Sequence, residues 1–230
     1  MTRDRTRRSA LQQNMNQPTI LSIHTGRIAP LGPDGVTSAI VKPLAAGPAQ
    51  VKALGIVGDE QADLSVHGGP DKAVYGYGAD HYASWQKEFP RQAALFVPGG
   101  VGENLAIAGM TESDLCVGDI HAIGTALLQA CQPRQPCHKF ALLFGNNQLP
   151  KAMVRNGRSG WYYRVLREGV VTAGDEVKLH ERPNPEFPFS RLVKLVSFGG
   201  ASEDELRRMS EMKGLAVQWQ QQAKEALGKS

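Results

Sequence analysis

Cysteine is scarce in this chain: three of 230 residues, Cys116, Cys131 and Cys137. That odd, small number argues against a disulfide framework and points to a reducing compartment, the cytoplasm. No apolar run approaches the roughly 20 residues that cross a bilayer, so no membrane partner is expected. The glycine fingerprints of nucleotide-binding folds are missing too. GxxxxGK[ST] is absent, and "GGVGEN" at 99–104 fails GxGxxG. No cysteine spacing fits an iron–sulfur cluster.

Strong charge is also lacking. The net charge is +4, and Arg3, Arg5, Arg7 and Arg8 against Asp4 place +3 of it in the first eight residues. The rest is close to neutral, with no basic helix interleaved with aromatics, so a nucleic acid polymer is not an expected partner. The start "MTRDRTRRSALQQNMNQ" has no apolar stretch and does not read as a secretory leader. Residues 1–17 are expected to be a disordered basic tail.

With 41% hydrophobic and 21% charged residues, the remainder can bury a sizeable core. Short apolar runs punctuated by glycine predict strands in "TILSIHTGRIAP", "GENLAIAG", "GDIHAIG" and "ALLQACQP". Two short strands are expected in "SAIVKPLAAGPAQVKAL", and a hairpin over 160–183 with turns near Gly169 and Gly174-Asp175. Tyr82, Trp85 and Phe89 share one face of a helix over 79–89, which Pro90 ends. "HKFALLFG" and "LPKAMVRNG" read as short helices. Residues 55–78 are rich in Gly, Asp and His and read as a long functional loop. Many short strands with Gly turns predict a mixed, barrel-like β domain over 18–181 with peripheral helices.

After a Pro-rich linker at 182–189, residues 190–230 predict a three-helix segment. Ser190 is placed to cap the first helix. Ser202 with Glu205 forms a capping box for the second, and Gly214 serves as its C′ residue.

The chemistry concentrates in "CQPRQPCHKF", 131–140. Pro133 and Pro136 stiffen the backbone, and Arg134 and Lys139 are cations that favour a thiolate at Cys137. Five residues separate Cys131 from Cys137, which suits a zinc pair poorly. His138 is adjacent to Cys137 but poorly placed as its base, whereas His67 is a better candidate. From the residues alone, Cys137 stands between a reactive thiolate and a small buried hydrophobe. Cys131 reads as core and Cys116 as structural. In the loop, Asp59, Asp63, His67, Asp71 and Lys72 are candidate polar groups around Gly68-Gly69, whose amides can meet a bulky anion. His67 reads equally as a loop histidine bonded to backbone.

Three stretches together resemble a known family: "GDEQADLSVHGGPDKAVYGY", "GENLAIAGMTESDLCVGDIHAIGTALLQACQPRQPCHKF" and "GRSGWYYRVLREGVVTAGDEVKL". They look like the MOSC domain. The likeness is greatest to its YiiM type, in which a C-terminal three-helix segment follows the domain. It covers roughly residues 20–228. The resemblance implies a molybdenum cofactor (molybdopterin) and reduction of small N-hydroxylated substrates such as hydroxylaminopurine. It implies that the Cys137 thiolate ligates molybdenum. Arg134, with Arg27 and Lys139, is then expected to contact the pterin or its phosphate, and Gly68 and Gly69 to approach the pterin. His67 and Asp59 are expected to support the metal ligand from behind or to deliver protons. Electrons are expected from an external flavoprotein or iron–sulfur donor, and the protein is expected to be a monomer or homodimer. Two other readings remain: a molybdenum cofactor carrier or sulfur-transfer module without reductase activity, and a metal-free thiol enzyme.

Overall fold

In the computed structural model, residues 17–64 and 67–229 are described. The expected tail therefore lies, apart from Gln17, outside the described residues. A seven-stranded mixed sheet organises the rest, in the order β1-β7-β6-β10-β9-β8-β12. Its centre comprises β6 (Val74–Gly78), β9 (Ala126–Pro133) and β10 (Trp161–Arg167). Around them lie β1 (Thr19–Ile23), β7 (Leu105–Ala108), β8 (Ile120–Ile123) and β12 (Val177–Glu181). The sheet is curled into a half-barrel. Register shifts interrupt β1–β7, β9–β10 and β8–β12 pairing, and such bulges increase local bend and twist. Two smaller pieces complete the β structure: β2 (Ala29–Leu31) with β3 (Val36–Ser38), and β11 (Gly169–Val171) with β4 (Ala49–Lys52) and β5 (Gly55–Ile56).

Each face of the sheet carries its own core. Val74, Leu105, Ile107, Leu128 and Trp161 belong to one. Tyr75 and Tyr77, on the alternate side of β6, join Trp85, Phe96, Phe140 and Phe144 in the other. The helices cover these faces. They are α1 (Tyr82–Glu88), α2 (His138–Phe144), α3 (Gln148–Asn156), α4 (Phe189–Phe198), α5 (Glu203–Glu211) and α6 (Val217–Leu227). The last three are the expected C-terminal helices, and they pack Phe189, Leu192, Met209 and Trp219 onto the first core. Burying Phe189 fully contributes about 2 kcal/mol of transfer free energy.

The capping box of α5 forms as expected: Ser202 Oγ accepts from the Glu205 amide, and Glu205 accepts from the Ser202 amide. Gly214 is left-handed at φ 82°, but α5 ends at Glu211, so Gly214 falls one position beyond C′. Four local expectations fail. Residues 74–78, read as loop, form the fully buried strand β6. Its glycines serve packing, since a Cβ on Gly76 would lie 3.0 Å from Trp161 Nε1 and Tyr163 Cε2. Residues 39–42 form no strand and run along a pocket instead. The segment 160–183 is not one hairpin: β10, β11 and β12 pair with three different neighbours. Helix α4 starts at Phe189 behind Pro188, and Ser190 lies inside it.

Residues 182–188 lie against the domain. The Arg182 guanidinium forks onto Asp119, Asn184 Nδ2 donates to the Val117 and Lys213 carbonyls, and Phe187 is buried.

Candidate functional site

Strand β9 ends at Pro133, which has no amide hydrogen to continue the ladder. The chain then crosses the sheet's end through Arg134, Gln135 and Pro136. Cys137 follows, extended at φ −112°, ψ 176°, as the residue before α2. Its sulfur is half-buried, and the Phe140 amide donates to the Cys137 carbonyl at 3.0 Å. His67 lines the same pocket from the opposite loop. Burial alone would raise the thiol pKa. His67, the Arg134 charge and the backbone amides of Lys139 and Phe140 outweigh burial and hold it down to about 7.

The pocket around this sulfur encloses about 690 Å³ counted to its open mouth. Cys137, His67, Gly68, Asp59, Arg134 and Lys139 all line it. Residues far apart in sequence are thus brought together. Arg27 is not among the lining residues: its side chain is 74% exposed and pairs with Glu60 at 2.7 Å. Gly69 also stands off the wall. Its φ of 81° turns the chain into the 3-10 turn Pro70–Lys72.

Arg134 is 7% exposed. Its Nη1 donates to the Val101 carbonyl at 2.5 Å, and its guanidinium lies 5.0 Å from the Tyr75 ring centre and 4.9 Å from that of Phe140. Burial opposes its charge, but the Tyr75 and Tyr162 phenols more than compensate and hold its pKa above the ordinary value. The sequence reading missed Lys42. It lines the pocket and forms a buried ion pair with Asp59, which also accepts from the Gly26 amide at 2.7 Å. Burial lowers the Lys42 pKa, and Asp59 opposes that shift. The available signal was a lone cation inside the apolar run "SAIVKPLAAG". Lys72, a loop cation in the sequence, also lines the pocket, and Tyr75, Asn104 and Tyr162 are further wall residues that the sequence did not single out. Asn104 is structural there: its Oδ1 accepts from the Tyr75 amide and its Nδ2 donates to the His24 carbonyl.

The donor set can be tested against a bound group. Among the described residues, no group of three or more His, Cys, Asp or Glu side chains converges to hold a bare metal ion. One soft thiolate suits a metal that arrives with soft ligands of its own. Lys42, Lys72, Arg134 and Lys139 suit an anionic, phosphate-bearing ligand. Those features fit a molybdenum–pterin cofactor.

Residues 63–178 match the MOSC domain family. Protein YiiM of Escherichia coli is 37% identical over 199 residues, covering 86% of this chain and 88% of the relative. A protein of Gibberella moniliformis named Reductase is 38% identical over 180 residues, covering 77% of this chain but only 32% of that protein. The crystal structure of YiiM from Geobacillus stearothermophilus superposes with a TM-score of 0.76 at 32% identity, covering 91% of this chain and 99% of that one. With the curled mixed sheet, the C-terminal helices and this sequence identity all in agreement, the chain belongs to the MOSC domain family and is a close relative of YiiM.

Proposed function

We propose that this protein is a molybdenum cofactor-dependent reductase of N-hydroxylated compounds, such as hydroxylaminopurine. The observation that carries the reading is Cys137, a thiol poised near neutrality in a pocket whose wall also carries the cations Lys42, Lys72, Arg134 and Lys139, set against the carboxylates Asp59 and Glu60. Family membership and the name Reductase of the fungal relative support an oxidoreductase role.

The overall change takes R–NHOH, two electrons and two protons to R–NH2 and water. The chemistry that the bound cofactor supplies is the two-electron reduction of the N–O bond. The residues of this chain prepare the site. Cys137 offers a thiolate ligand, kept ionised by His67, Arg134 and the amides at the start of α2. Arg134, Lys139 and Lys42 hold the pterin and its phosphate. Gly68 lets the loop backbone approach the ligand closely. His67 is placed to hold or release a proton beside the sulfur. Asp59 acts through Lys42, keeping that ammonium charged in the pocket wall. Electrons come from an external flavoprotein or iron–sulfur donor.

The test is molybdenum analysis of protein made in a molybdate-supplied host, followed by reduction of hydroxylaminopurine with a chemical reductant. Bound molybdenum with turnover is expected. Protein without molybdenum would overturn the reading. Molybdenum without turnover would leave a cofactor carrier or sulfur-transfer module.

A further inference from the structure

Asp71 is not among the residues that line this pocket, yet its side chain and carbonyl tie together several elements behind it. It sits in the 3-10 turn Pro70–Lys72, four residues after His67 and one before Lys72, both of which line the pocket. Its Oδ1 accepts from Arg164 Nε at 2.7 Å and Nη2 at 2.6 Å. Its Oδ2 accepts from the Val217 amide at 3.0 Å. Its carbonyl accepts from Gln132 Nε2 at 2.8 Å and from Cys131 Sγ at 3.1 Å.

Val217 is the first residue of α6, behind Ala216. Its amide is one of the donors that a helix start leaves without a partner, and a carboxylate there also favours the helix dipole. The same helix start is bolted to the cysteine strand. The Ala216 amide donates to the Cys131 carbonyl at 3.0 Å. Gln218 Nε2 and Trp219 Nε1 both donate to Gln132 Oε1, at 2.6 and 3.2 Å. Strand β9 then leads directly through Arg134 to Cys137. The two sides of the pocket, the His67 loop and the Cys137 strand, therefore meet behind it at the N-terminus of α6.

We propose that Asp71 is a positioning residue that fastens the His67–Lys72 loop to the start of α6, so that the C-terminal helices hold the pocket's shape around Cys137. The helical segment is then part of the site's scaffold. The inference needs only the Asp71 bonds and the place of His67, Lys72 and Cys137 in one pocket wall, whatever ligand the pocket takes.

The experiment uses the full chain made without cofactor, so it is decided apart from the molybdenum reading. Iodoacetamide alkylation of Cys137 is followed against pH by peptide mass, with thermal melting measured beside it. Val217→Pro removes only the amide hydrogen that Asp71 accepts from the helix. Proline is favoured at a first helical position. Ala216 is already extended at ψ 140°, as a residue before proline requires, and the Val217 side chain is exposed. This variant should melt like the parent, while its alkylation half-point rises by about 0.5 pH unit as His67 is loosened in the pocket wall. Asp71→Ala should raise it by about 1 unit. Asp71→Asn, which still offers an oxygen to the Val217 amide, should stay near the parent. Unchanged half-points in folded Val217→Pro and Asp71→Ala would overturn the proposal. A shift in Asp71→Ala alone would overturn the link to the helices. If Asp71→Ala does not fold, Val217→Pro decides.

Discussion

Lys42 and Asp59 face each other in the pocket wall, with side chains only 9% and 3% exposed. Neither charge has ready access to water, so each depends on the other. Removing one member of a buried pair costs about 3–5 kcal/mol, because the remaining charge is stranded. Asp59→Ala should lower unfolding stability by about that much, read as a shift of the denaturant midpoint in cofactor-free protein. Asp59→Asn should cost less, since its carboxamide oxygen still accepts from the Gly26 amide. Equal midpoints for parent and Asp59→Ala would contradict the pairing.

The thiol of Cys137 should be reactive at neutral pH. Its pKa lies at about 7, below the ordinary thiol value of 9.0. The thiolate is the nucleophile, so alkylation should rise with pH and reach half its maximum near pH 7 in cofactor-free protein. His67→Ala removes a group that favours the thiolate, so its half-point should move upward. A downward move would mean that His67 does not support the thiolate.

The cysteines should separate sharply in metal content. Cys137 faces the pocket, whereas the Cys116 sulfur points to the Pro185 carbonyl at 3.6 Å, under the strap of residues 182–188. In a molybdate-supplied host, Cys137→Ser should lose molybdenum and Cys116→Ser should retain it. Equal metal in the two variants would remove Cys137 as the ligand.

What was legible in the sequence follows local physics. Strands β7, β8 and β9 were readable because glycines bracket short apolar runs, and the α5 capping box because Ser202 and Glu205 are three residues apart. Strand β6 was not, because Gly76 and Gly78 mimic a loop. Their purpose, room for Trp161 and Tyr163 against Gly76 and for the Met110 carbonyl against Gly78, lies in distant residues. The hairpin reading of 160–183 failed for the same reason: β11 finds β4, more than 100 residues back in the chain. At the site, the prolines and cations around Cys137 gave a local signal. Lys42 had only its place as a lone cation in an apolar run, because Asp59 and Arg134 reach it only through the fold. Arg27 reads as a pocket cation in the sequence, but the fold pairs it with Glu60 and leaves its side chain exposed.

His121 should make the fold sensitive to mild acid. It lies in β8, 3% exposed, with Nδ1 3.0 Å from the Tyr163 hydroxyl. Burial pushes its pKa from 6.5 down to about 4, with Asp119 opposing and Arg182 reinforcing the shift. Between those two values the unfolded chain binds a proton that the folded chain refuses. The stabilisation is therefore complete above pH 6.5 and is lost as pH falls toward 4. From pH 7 to pH 5 this one group should cost about 2 kcal/mol of unfolding free energy. Urea titrations at the two pH values measure it directly. His121→Gln keeps a polar partner for Tyr163 but cannot titrate, so its stability should fall by about 2 kcal/mol less than the parent's over that interval. An equal fall in the two proteins would show that other groups, not His121, set the acid response.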